Sequence, residues 1–66
     1  MTRRFRQIKG FNGPIDFIEL DTDTQTSTGI NRDGSRQPLK WADGSAHYKL
    51  GPVEKMVAAG LWVELS

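Results

Sequence analysis

With 66 residues and no cysteine, this chain has room for one core, and apolar packing alone has to hold it. A domain this short buries only about 60% of the surface its unfolded chain exposes. The absence of cysteine excludes zinc fingers, iron–sulfur clusters and thiol chemistry, and it fits a reducing, cytoplasmic setting. No apolar run approaches the roughly 18 residues of a membrane span, so no membrane partner is expected. The start, Met1-Thr2-Arg3-Arg4-Phe5-Arg6, is basic but lacks the apolar stretch of a secretory signal.

The net charge of +1 conceals an asymmetry. Residues 1–10 carry Arg3, Arg4, Arg6 and Lys9 without an acid. Residues 11–25 carry Asp16, Glu19, Asp21 and Asp23 without a base. The first segment, Arg3 to Lys9, reads as a strand, and Gly10 to Pro14 turns the chain. Ile15 to Leu20 then reads as a second strand, or as a short helix opened by Pro14. Ile15 and Phe17 fall on one parity, Ile18 and Leu20 on the other, which suits an interior strand. In a hairpin of the two, Arg6 and an acid would pair across the strands.

Asp21 to Pro38 holds one aliphatic residue, Ile30, in a run of Thr, Ser, Asp and Gly. It reads as a polar loop or as two weak edge strands turning at Asp33-Gly34. Next, Leu39–Ala42 and Ser45–Tyr48 flank Asp43-Gly44, the residues of a two-residue hairpin turn. That register sets Trp41 opposite Ala46 and Leu39 opposite Tyr48 on one apolar face, with His47 opposite Lys40 on the other. Gly51-Pro52 opens a helix with Pro52 at its first position. Val53, Met56 and Val57 form its apolar stripe, and Gly60 is placed to end it. Leu61–Leu65 closes the chain as a strand, with Leu61, Val63 and Leu65 on one face.

The expectation is a single α+β domain over residues 1–66. A small antiparallel sheet with a hairpin at Asp43-Gly44 is covered by one short C-terminal helix, and a final short strand follows.

Catalytic and metal signatures fail on inspection. Asp21-Thr22-Asp23-Thr24-Gln25 opens like a calcium loop, but Thr26 stands where that loop needs Gly and Arg32 where it needs the bidentate Glu. His47, the single histidine, has no orienting acid and nucleophile around it. The serines lack a nucleophile elbow, and no glycine pattern cradles a phosphate. The chain is therefore expected to bind rather than catalyse, with no cofactor and no metal.

Three binding readings remain. A protein partner or a second copy would use a sheet edge, the 21–38 segment and Trp62. Trp62, Ile30, Arg32 and Arg36 are the interface candidates. Nucleic acid would use Arg3, Arg4, Phe5, Arg6 and Lys9, cations interleaved with an aromatic ring, unless Phe5 belongs to the core. A phosphorylated small molecule held at a subunit boundary would use Arg3, Arg4, Arg32 or Arg36.

The C-terminal half reads Trp41-x-Asp43-Gly44-Ser45-x-x-Tyr48-x-Leu50, then Val53-x-x-Met56-Val57-x-x-Gly60-x-Trp62-x-Glu64. Over residues 39–65 it resembles the ends of small uncharacterised proteins of tailed bacteriophages. The resemblance transfers no functional residue. It implies an accessory protein that docks on a host or virion protein, an inhibitor of a host enzyme or defence protein among the options, working in the host cytoplasm.

Overall fold

The computed structural model describes residues 1–8 and 13–65. The elements run β1 (Thr2–Gln7), β2 (Ile15–Asp21), β3 (Thr26–Asn31), β4 (Arg36–Pro38), α1 (Leu50–Ala58) and β5 (Trp62–Leu65). The strands form one antiparallel sheet in the order β4-β3-β2-β1-β5. The architecture is α+β, as the sequence pattern predicts. The 21–38 segment takes the strand alternative, as β3 and β4, but only β4 is an edge strand, since β3 lies between β4 and β2 with Ser27 and Ile30 buried.

Alternation explains β1. Phe5 is fully buried, while Arg4 and Arg6 on the other parity are exposed. Phe5 stands beside Ile18 of β2 and Glu64 of β5, and with Ile18, Leu20, Val53 and Trp62 it forms the core under α1. β2 is the central strand, and Ile18, Glu19 and Leu20 are all buried in succession. Apolar residues on both parities of this segment therefore reported an interior strand, not a helix.

A bulge between Ile15 and Phe17 breaks the parity expected for that pair. Ile15 packs against the core, while Phe17 lies opposite Ile30 of β3. Gly29 makes room for this, because a Cβ there would sit 3.1 Å from Ile15 Cδ1. Ser27, buried nearby, satisfies its hydroxyl by donating to the Leu39 carbonyl at 2.6 Å.

α1 begins one residue earlier than Gly51. Lys49 is its N-cap and makes no side-chain cap bond, so Pro52 is the third helical residue rather than the first. The shift is harmless, since that N–H still belongs to the unpaired first turn. Val53 is buried and Val57 half-buried, but Met56, the third member of the expected stripe, is 42% exposed. Gly60 ends the helix at φ 78°, with Gly60 N–H donating to Val57 O and Leu61 N–H to Met56 O. Those two bonds are the Schellman pattern.

The face of the sheet away from α1 carries no second layer of backbone among the described residues. Arg4 of β1 and Arg36 of β4 instead reach across to Glu19 of β2 from opposite sides. The Glu19 side chain is only 11% exposed beneath the two guanidiniums. Long arginine stems laid over a sheet cover apolar surface while the charged heads stay wet.

Candidate docking cleft

The cleft originates in a turn that occurs twice. In Trp41–Ser45, Gly44 N–H donates to Trp41 O at 2.9 Å and Trp41 N–H to Ser45 O at 2.9 Å, with Gly44 at φ 88°. In Asn31–Ser35 the same bonds measure 2.9 and 2.8 Å, with Gly34 at φ 89°. Both are three-residue loops, a tight turn followed by a left-handed glycine. In each, the aspartate accepts from the following serine twice, Asp33 and Asp43 both bonding Ser N at 2.9 Å and Ser Oγ at 2.6 Å.

The sequence reading assigned a two-residue loop at Asp43-Gly44. The extra loop residue moves the register by one, so Ala46 bridges Lys40 and not Trp41. A slip of one residue sends a side chain to the opposite face. Trp41 stands 56% exposed although Leu39, two residues earlier, packs against the core, so the two do not share the single apolar face expected of them. The 39–48 segment keeps a single bridge and no strand of its own.

Four rings then run from solvent to core. Trp41 and His47 lie 4.2 Å apart at 47°, His47 and Tyr48 stack at 4.7 Å and 10°, and Tyr48 meets Trp62 edge-on at 5.2 Å. Beside them opens a cleft of about 180 Å³ with Val53 and Trp62 in its lining. Trp41, His47, Lys49, Pro52 and Met56 form the accessible part of its walls. Trp41 and Met56 are two of the most exposed large apolar side chains among the described residues. Two other hollows, about 230 and 310 Å³, have mixed polar and apolar linings, the first with Leu20, Tyr48 and Leu50 beside Thr22 and Thr26, and none of the exposed large apolar residues reaches them.

The residues singled out from sequence are placed differently from expectation. Trp62 is 4% exposed and faces the core, not solvent. The parity holds for Val63, which points the other way and is 40% exposed, but α1 covers the tryptophan side and Leu61 packs against the same core. Ile30 is 7% exposed on the arginine-covered face, opposite Arg36. Arg32 donates to Gly13 O at 2.7 Å.

The basic run is divided by the pleat. Arg3 turns to the helix side, where it holds Glu64 by two bonds of 2.8 and 2.7 Å and stands 3.8 Å from Glu54. Arg4 pairs with Glu19 at 2.9 Å and Arg6 with Asp16 at 3.1 Å, the cross-strand pairing that the charge segments predict. Phe5 is core and offers no ring for stacking, and Lys9 lies outside the described residues. Arg3 is likewise on the face opposite Arg4 and Arg36, so these do not converge on one phosphate.

Asp21 closes the 22–25 turn by accepting from the N–H groups of Asp23 and Thr24. Among the described residues no group of His, Asp and Glu is arranged to hold a metal, and no helix is long and apolar enough to cross a membrane.

Several carboxylates are held below their ordinary range. Serine hydrogen bonds lower Asp33 and Asp43, backbone N–H donors lower Asp21, and Arg3 lowers Glu64. A carboxylate depressed by folding stabilises the fold at pH above its unfolded value and loses that contribution as pH falls through its folded value. Stability should therefore hold near neutrality and decline below about pH 4, the ordinary range of these groups. Thermal melts across an acid series check this, and a melting temperature that rises on acidification would contradict it.

The missed feature, the exposed Trp41–Met56 cleft, had one sequence signal. Asp-Gly followed by Ser, present at both 33–35 and 43–45, marks an aspartate that caps the serine across a three-residue loop. No protein-family model, curated protein or solved structure matches the chain.

Proposed function

We propose that this chain is a non-enzymatic binding protein that docks another protein at the Trp41–Met56 cleft. The observation that supports it is an aromatic side chain held 56% exposed on a concave apolar surface, in a fold that buries its other tryptophan. Tryptophan at such a site is a typical anchor of protein interfaces. The resemblance of residues 39–65 to small uncharacterised proteins of tailed bacteriophages adds the context of a host or virion target, inhibition being one consequence of docking there. The nucleic-acid and phosphate readings draw no support from Arg3, Arg4, Arg6 and Arg36, which are paired with acids, or from Arg32, which donates to the Gly13 carbonyl.

The test is affinity copurification from host extract with quantitative mass spectrometry, comparing the wild-type chain with Trp41→Ala. A partner enriched by the wild type should fall by about tenfold or more with the variant, the scale of an interface hot spot. Equal enrichment by both chains would remove the cleft from consideration.

A further inference from the structure

The chemistry of the cleft narrows its occupant. We infer that it takes a linear acidic segment of another protein, bearing one large apolar anchor residue. This rests on the docking reading above.

Charge sets the first constraint. The lining holds no carboxylate, and its only groups able to carry positive charge are Lys49 and His47. Lys49 makes no side-chain cap bond to α1 and no ion pair among the described residues, and the first turn of α1 carries no acid. Asp43 senses the Lys49 charge, but no ion pair joins the two among the described residues. An incoming carboxylate therefore meets an uncommitted ammonium beside an apolar wall, a complementarity that steers association and fixes register.

Size sets the second. About 180 Å³ falls short of the roughly 300 Å³ at which small-molecule pockets begin. An amphipathic helix would need a groove for several anchors spaced along one face. A single hollow bounded by Trp41, Pro52 and Met56 accepts one side chain.

The rings argue against the competing macromolecule. Single-stranded nucleic acid stacks its bases on free aromatic faces along a basic track. Here His47 lies between Trp41 and Tyr48, so these rings spend faces on each other. One lysine is no track.

The experiment is selection of random dodecapeptides by ribosome display on the immobilised full chain. Fluorescence anisotropy of the selected peptides and of oligodeoxythymidylate follows. The chains compared are wild type, Trp41→Ala, Lys49→Glu and, on the far face, Val63→Thr. Peptides rich in Asp and Glu with one aromatic or leucine anchor should emerge. Their affinity should drop about tenfold or more in Trp41→Ala and fall in Lys49→Glu, whereas Val63→Thr should bind as wild type does.

Neutral or basic peptides whose binding needs Trp41 would overturn the acidic occupant and leave the docking reading standing. Oligodeoxythymidylate bound in a Trp41-dependent way would replace the class of partner. No enrichment, or enrichment indifferent to Trp41, would overturn both.

Discussion

Phe5→Ala should remove about 3–5 kcal/mol of stability, roughly a third or more of what a chain of this length holds. Phe5 has no exposed surface and sits between Ile18 of β2 and Glu64 of β5, with the Arg3 guanidinium 5.3 Å from its ring centre. Truncating a buried phenylalanine removes its transfer free energy and leaves a cavity, together about 3–5 kcal/mol. At about 0.05–0.15 kcal/mol per residue, a chain of this length has roughly 3–10 kcal/mol in total. The loss thus approaches the whole at the lower end of that range. Urea titration followed by far-ultraviolet circular dichroism reads the effect. A loss of stability below about 1 kcal/mol would mean the β1 side chains do not pack as described.

The two tryptophans should part company under the same substitution. Trp62→Ala removes a ring that is 4% exposed and packed in the core with Phe5, Ile18, Leu20 and Val53. The expected destabilisation is again about 3–5 kcal/mol. Trp41→Ala removes a ring mostly in solvent, leaning on His47, and should change stability by less than about 1 kcal/mol. Fluorescence of the single-tryptophan variants gives an independent reading. Emission from the chain retaining Trp62 should be blue-shifted relative to the chain retaining Trp41. Comparable stability losses, or emission in the reverse order, would return Trp41 to the core and close the proposed cleft.

That contrast also shows where sequence pattern stops being informative. Periodicity says which residues share a face, and Trp62 was correctly set apart from Val63, though not from Leu61, which packs against the same core. It does not say which face a helix will cover, and that choice decides which set is buried. Loop length was a similar blind spot. Asp43-Gly44 suits a two-residue turn as well as a three-residue one, and the single added residue moved the partner of Ala46 from Trp41 to Lys40.

Other features were plain in the chain. Apolar residues on both parities of Ile15–Leu20 suited an interior strand, with a short helix as the alternative, and the segment is the central strand β2. Gly60 announced the helix end, and the segregated acids at Asp16 and Glu19 foretold partners for Arg6 and Arg4. The bulge beside Ile15 left no trace, because it depends on a glycine at position 29 two strands' worth of chain away. β3 and β4 were ambiguous for a related reason. Their inward positions carry Ser27 and Gly29, whose burial is paid in hydrogen bonding and close approach rather than in oil.

The arginine-covered face imposes a rule on how this protein can vary. Arg4, Glu19 and Arg36 belong to three different strands yet occupy one shared arrangement, so their identities are not independent. Losing the glutamate leaves two cations crowded together, and losing one arginine leaves a shielded carboxylate half matched. Coordinated replacement by three apolar residues would remove the shielded carboxylate together with both of its cations and leave no charge unmatched. It would also turn a self-contained molecule into one with an adhesive flank. Divergent versions of this chain should accordingly keep all three charges or exchange all three at once.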